Sequence, residues 1–294
     1  TINRILFGSP NHKIIDINLT NVKESSKINS GFVIPRKNFD NLLFSHAKEN
    51  TEVKEGFKVT NILYDKNRII GVSGIKNNCL VKLYAPLLLI CDGANSTIAR
   101  KLNLFKEDTE NTAIALRCYY KNVKGLTDQI ELHFVDQVLP GYFWIFPAGE
   151  NLANIGIGLS KKEANRDKRK LKEILSDVIK SEYFKDRFSE SYAIEKPKGW
   201  SLPLGRIVRP TYGDGYMLLG DAAGFVDPFT GEGIGNAMAS AKYAIEIANK
   251  AKNNNDYSNI ILSEYHKKVW SYLGPELKTS TRLQDLANYK ILLN

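Results

Sequence analysis

The stretch "MLLGDAAGFVDPFTGEGIGNAMASAKYAIEIA", residues 217–248, decides how the whole chain is read. It opens as a buried strand, breaks into a loop holding Asp221, Pro228, Gly220, Gly224, Gly231 and Gly233, and resumes as a helix. An ordinary strand-to-helix connection carries far fewer turn residues. Asp221 follows the apolar run at the carboxyl end of the strand, where a carboxylate accepts hydrogen bonds from sugar or polyol hydroxyls. Gly220 lets the backbone come close to a ligand. The helix after Gly233 is expected to start with open amides, and its dipole favours an anionic or electron-rich atom there. Along the chain Asp221 lies too far ahead of that helix to read as its cap, so it reads as a ligand-binding group.

Working outward, the stretch "LLICDGANSTIAR" (88–100) repeats the strand–turn–helix form around Asp92 and Gly93. Residues 3–17 alternate as a strand pair with a turn at "GSPN". In "GFVIPRKNFDNLLFSHAKEN" (31–50) a short strand and Pro35 precede a helix with Phe39, Leu42, Leu43 and Ala47 one turn apart. "EGFKVTNILYD" and "RIIGVSGI" form a hairpin about Lys66 and Asn67. "TAIALRCYY", "QIELHFV", "GYFWIFP" and "LANIGIGL", within residues 112–159, read as strands of an antiparallel layer. Residues 161–188 read as a helical stretch with Leu171, Ile174, Leu175, Val178 and Ile179 on one face. Two more helices are expected near 258–273 and from Pro275 onward. The fold class is α/β (α+β), a parallel-sheet nucleotide-binding body with an inserted antiparallel sheet layer and C-terminal helices.

Composition narrows the function. The chain has 294 residues, 43% hydrophobic and 25% charged, with a net charge of +9. That charge suits phosphate-bearing ligands or acidic membrane surfaces. The basic residues are dispersed except in "KKEANRDKRKLK" (161–172), so nucleic acid is not an expected partner. That cluster reads either as a surface for anionic headgroups or as a solvated helix face. Cys79, Cys91 and Cys118 form no C-x-x-C pair, which argues against a disulfide framework or a zinc cluster; no metal site is expected. No apolar run approaches the ~20 residues of a membrane span. The expected location is cytoplasmic, with peripheral contact on the cytoplasmic membrane face. The chain opens on Thr1 and stops in the helical "LQDLANYKILLN", and so reads as a fragment.

The stretch around Asp221 resembles the second flavin-binding motif of the FAD-dependent oxidoreductases related to p-hydroxybenzoate hydroxylase. The resemblance implies that Asp221 binds the ribityl chain, that Gly220 admits the cofactor, and that Pro228, Gly231, Gly233 and Ile234 border the flavin ring. "LLICDGANSTIAR" is similar to the Asp-Gly motif of that superfamily, which implies that Asp92 and Gly93 lie near the FAD pyrophosphate. "PRKNFDNLL" resembles its helix start, where an Arg reaches the cofactor, and this points to Arg36. The G-x-G-x-x-G turn that opens such proteins has no counterpart ahead of a helix here. An opening segment upstream of Thr1 is therefore expected, and the fragment alone is not expected to bind FAD tightly or to be active. Domain bounds follow: 1–110 and 196–250 for the FAD-binding body, 111–195 for the antiparallel substrate-binding layer, and 251–294 for C-terminal helices.

One further stretch, "PGYFWIFPAGENLANIGIG" (140–158), bears on the substrate. Tyr142, Trp144 and Phe146 alternate, so on a strand all three project from one face as a wide apolar wall. A core strand packed on the following helix is the plainer reading. Pro140, Tyr142, Trp144, Phe146, Pro147, Gly156 and Gly158 resemble the signature of the geranylgeranyl reductase family. That resemblance implies an isoprenoid tunnel lined by Tyr142, Trp144, Phe146 and Pro147. It further implies reduction of isolated double bonds in a polyprenyl lipid or prenyl diphosphate, with FAD delivering hydride and NAD(P)H or another donor recharging it. Hydride transfer to an unconjugated alkene also needs a proton in a water-poor pocket. The sequence singles out no donor: Tyr142 and His133 are candidates, and an upstream residue is another. The competing readings are a flavin-dependent monooxygenase or halogenase of the same superfamily, and a non-catalytic lipid or quinone carrier.

Overall fold

The computed structural model describes residues 1–19, 31–104, 108–167, 169–290 and 293–294. Its elements begin with β1 (Arg4–Gly8), β2 (Ile14–Asn18), α1 (Arg36–Asn50), β3 (Lys58–Asp65), β4 (Arg68–Lys76), β5 (Cys79–Tyr84), β6 (Leu88–Ile90) and α2 (Thr97–Lys101). The middle of the chain forms β7 (Thr112–Lys121), β8 (Gln129–His133), β9 (Tyr142–Pro147), β10 (Leu152–Ser160), α3 (Lys161–Arg166), α4 (Leu171–Lys180) and α5 (Lys185–Phe188). It ends with β11 (Tyr192–Ala193), β12 (Lys198–Pro203), β13 (Tyr212–Gly213), β14 (Tyr216–Leu218), α6 (Ile234–Asn254) and α7 (Asn259–Leu286). Contacts divide the chain into two compact units. The first is Thr1–Val53, Ala113–Trp200 and Asp285–Asn294; the second is Lys54–Thr112 and Ser201–Gln284.

In the first unit the sheet runs β11-β7-β10-β9-β8-β1-β2. Strands β7 to β10 pair antiparallel, as their alternation predicts. The hairpin β1–β2 departs from the domain bounds read from sequence: β1 lies parallel to β8, with Ile5 opposite Ile130, and extends this layer. Its alternating pattern suits either sheet, and a close fit accompanies the choice made. Gly8 pairs with His133, and a Cβ on Gly8 would come 2.4 Å from the imidazole Nδ1. On one face of the sheet Phe143, Ile145, Ile155 and Ile157 pack with Ile174, Leu175 and Val178 of α4 and with Phe184 and Phe188. Each such burial is worth about 1.5–3 kcal/mol.

The expected continuous helix over 161–188 is three short ones. Asp167 interrupts it by accepting the Arg169 amide at 2.9 Å, and α4 then restarts with Glu173 accepting the Lys170 amide at 2.9 Å. Lys168 of the basic cluster lies outside the described residues. Helix α1 forms where its periodicity predicts but has no buried residue, and Leu42 and Leu43 are exposed.

In the second unit β3-β4-β5 form an antiparallel sheet, and β13-β14-β6 form another in which β14 and β6 run parallel. Behind the parallel pair, Met217, Leu218 and Phe225 pack with Ala244 and Ile247 of α6 and Leu262, Tyr265, Val269 and Leu273 of α7. Helix α7 is one element rather than the two expected, with Pro275 inside it. An interior proline costs about 3 kcal/mol. The buried stripe Tyr265, Val269, Leu273, Leu277 and Ser280 continues through that point and outweighs it.

Candidate functional site

Asp221 sits in the turn from β14 to α6, in a single 3-10 turn, Gly220–Ala223. Gly220 has φ +54°, and a Cβ there would meet the Ala237 Cβ at 2.9 Å, so the turn closes tightly onto α6. The Gly220 amide donates to Ser240 Oγ at 3.0 Å, and the Tyr265 hydroxyl donates to the Leu218 carbonyl at 2.7 Å. Burial pushes the Tyr265 phenol well above its ordinary value, so it stays a neutral donor. Next, the buried Asp227 carboxylate accepts from the amides of Phe229 (3.0 Å) and Thr230 (2.8 Å) and from Thr230 Oγ1 (2.9 Å). These bonds shape the loop through Pro228 to Gly231, whose φ is +71°.

Helix α6 then begins at Gly233 with no side-chain cap. A Cβ on Gly233 would stand 3.0 Å from Asp221 Oδ1. The fold thus brings Asp221 beside the start of α6. The expectation of wholly open amides needs correcting: Gly235 donates to Glu232 Oε1 at 2.6 Å. Ile234 and Met238 are exposed on the first turns. Asn236 donates to the Phe225 carbonyl at 2.7 Å and ties the loop back to the helix.

Asp92 follows β6, the parallel neighbour of β14, so both turns leave the same end of the sheet. Asp92 Oδ2 accepts from the amides of Thr97 (2.9 Å) and Ile98 (3.3 Å), and Ser96 Oγ accepts from Ala99 (2.9 Å). The start of α2 is therefore occupied by its own side chains. Gly93 has φ +76° with open space where a Cβ would be. Arg36 belongs to the first unit, where its guanidinium forms an exposed pair with Asp40 at 2.9 and 3.1 Å.

The aromatic alternation of β9 divides between the two faces of its sheet. Tyr142, Trp144 and Phe146 are half-buried on one face, with ring centroids 6.0 and 6.1 Å apart in succession. Phe143 and Ile145 point the other way and are fully buried. Gly156 of β10 pairs with Trp144 and Gly158 with Tyr142. A Cβ on Gly156 would lie 2.2 Å from Trp144 Cζ2, so the Gly-x-Gly pattern is the bed on which the indole lies. Trp144 Nε1 donates to Asn154 Oδ1 at 3.1 Å, and Pro147 ends the strand.

His133 pairs with Phe143 across β8 and β9 and so faces away from that wall. It is buried, 2.9 Å from Glu131 Oε2 and packed edge-on to Phe184, which removes it as a proton donor on the aromatic face. Glu131 also accepts from Arg187 at 2.6 and 2.8 Å. Burial pushes the Glu131 carboxyl up, but the hydrogen bonds from His133 and Arg187 more than offset this and hold it below the usual carboxylate range.

A parallel strand pair, a glycine-bordered acid beside an uncapped helix start, and a large antiparallel layer define a flavin-type nucleotide-binding fold. The solved structure of a geranylgeranyl bacteriochlorophyll reductase-like protein from Thermoplasma acidophilum shares it, at a TM-score of 0.89 and 25% identity over 99% of this chain and 73% of that one. A flavin-dependent brominase shares the fold at a TM-score of 0.77 and 20% identity, over 99% of this chain and 76% of that one. Residues 111–200 match the geranylgeranyl reductase catalytic domain. The digeranylgeranylglycerophospholipid reductase 1 of Methanococcoides burtonii is 32% identical over 93% of this chain and 66% of its own length. The corresponding reductase 2 of Methanopyrus kandleri is 30% identical over 92% of this chain and 70% of its own length. The chain belongs to the digeranylgeranylglycerophospholipid reductase family, within the geranylgeranyl reductases. It spans 60–70% of the length of the curated relatives it matches.

Proposed function

We propose that the whole protein is an FAD-dependent oxidoreductase that reduces isolated double bonds in the geranylgeranyl chains of a polyprenyl lipid. The observation that carries this reading is the aromatic wall of β9. It lies within the segment matched to the geranylgeranyl reductase catalytic domain. Tyr142, Trp144, Phe146 and Pro147 present contiguous apolar surface, which suits an isoprenoid chain and keeps water from it.

The turn from β14 to α6 fits a flavin. Gly220, Gly231 and Gly233 carry no Cβ where the loop and helix start are most crowded or twisted, and Asp221 stands beside an uncapped helix. When bound, reduced FAD supplies the hydride that an isolated alkene accepts. In this reading Asp221 holds the ribityl hydroxyls, Pro228, Gly231, Gly233 and Ile234 border the ring, and Asp92, Gly93 and Arg36 serve the phosphate end. The unit of Lys54–Thr112 and Ser201–Gln284 then acts as the FAD-binding body, and the antiparallel layer, with β1 and β2 added to it, as the substrate layer. NAD(P)H or another donor supplies the electrons. Among the described residues no helix is long and apolar enough to cross a membrane; in this reading the lipid is met by peripheral contact.

The test is to reduce the purified flavoprotein, add digeranylgeranylglycerophospholipid, and weigh the lipid by mass spectrometry. Added hydrogen pairs are the expected result. Added oxygen, or an unchanged lipid with rapid flavin reoxidation, would overturn the substrate assignment.

A further inference from the structure

The first unit contains a cavity of about 410 Å³ between one face of α4, the short helix α5 and the end of β7. That is within the roughly 300–1,000 Å³ of small-molecule sites. Lys172, Leu175, Ser176, Ile179 and Lys180 line it at the spacing of a single helix face. Its floor is apolar: Leu175 and Phe188 are buried, and Tyr120 meets Phe188 edge-on at 6.1 Å. Its rim is basic. Lys185 is held by Glu182, at 2.6 Å, whereas Lys172 and Lys180 have no acidic partner among the described residues.

Three carboxylates of the neighbouring segments are engaged elsewhere. Glu173 accepts the Lys170 amide, Asp177 pairs with Arg169, and Glu190 pairs with Lys124. Just past Ser191, which also lines the cavity, the chain exposes Tyr192 and Ile194. Tyr120 shares a strand face with Leu116, in the same core as Phe143, so the cavity opens on the side of the sheet opposite Tyr142, Trp144 and Phe146.

We infer that this cavity binds a phosphate carried on an aliphatic chain, with Lys172 and Lys180 on the phosphate and Leu175, Ile179 and Phe188 against the chain. Two uncompensated ammonium groups above an apolar floor match that ligand, whereas an uncharged chain or a bare anion would use only half of the lining. The inference does not rest on the flavin reading, because none of these residues belongs to the turn or the aromatic wall.

The test is calorimetric titration of the purified protein with decyl phosphate below its micellar concentration, beside decyl maltoside and inorganic phosphate. Decyl phosphate is expected to bind at least about tenfold more tightly than either, and Lys172→Gln with Lys180→Gln is expected to lower that affinity at least about tenfold. Both lysines are exposed, so circular dichroism should be unchanged. Ser176→Trp, which fills the cavity, should also abolish binding. Sedimentation with phosphatidylglycerol vesicles but not phosphatidylcholine, lost in the lysine variant, would identify a bilayer headgroup as the source. Binding of decyl phosphate without vesicle association would identify a free amphiphile, and either supports the site. Equal affinity in wild type and the lysine variant, or equal affinity for inorganic phosphate, would overturn it.

Discussion

The turns that follow β6 and β14 leave neighbouring parallel strands with an acid at each, yet the two acids do different things. Asp92 accepts from the first amides of α2, and Ser96 completes the cap. Asp221 stands against Gly233, the glycine cap of α6, and Glu232 accepts from Gly235. One helix start is closed by side chains of its own turn, and the other begins on a glycine with Asp221 and Glu232 beside it. Similar local sequence therefore builds two different turns, and the difference lies in the cap: Ser96 at α2 and Gly233 at α6.

The largest expected effect comes from Gly220→Val. A left-handed backbone combined with a Cβ 2.9 Å from Ala237 should cost about 3 kcal/mol by denaturant unfolding. Gly93→Val, left-handed but in open space, should cost only about 1–2 kcal/mol. Equal losses would show that backbone strain alone governs both turns.

Next comes Asp221→Ala. If the acid serves a ligand, flavin affinity should fall about 10- to 100-fold by fluorescence titration, with little change in flavin-free stability. Asp92→Ala should do the reverse, lowering stability by about 1 kcal/mol as a lost cap. An Asp92 variant that keeps its stability but loses flavin would erase the contrast. The smallest effect belongs to Glu232→Gln, where losing a charge at the start of α6 should lower stability by about 0.5 kcal/mol. A rise in stability would mean that Glu232 opposes the fold rather than supporting it.

Much of this was legible in local pattern. The β9 alternation, the glycines about Asp221 and the strand run of the antiparallel layer rest on periods of two and on turn chemistry, which a short window contains. Asp227 and Glu232 were missed but readable: Asp-Pro-x-Thr is an Asx-turn pattern, and Glu232 reaches an amide three residues on. Other features depend on distant partners. The purpose of Gly156 emerges only once β10 is in register with Trp144. The pairing of β1 with β8 joins residues far apart in sequence. Pro275 locally signals a helix end, and packing on either side overrides it.

The Glu131–Arg187 pair has a consequence for helix α5. Four residues cannot hold a helix by themselves. Arg187 fastens this one to Glu131 and to the carbonyls of Lys124 and Gly125, at 3.0 and 3.3 Å. Because the folded carboxyl is held below its ordinary value, its contribution to stability is complete above about pH 4.3, the unfolded value, and drains away as acid carries it through the depressed one. Arg187 then loses its anchor. Phe188 and Lys185, which wall the lysine-rimmed cavity, ride on the same helix. The cavity thus has an acid limit, set by a carboxylate on β8 that does not itself line it.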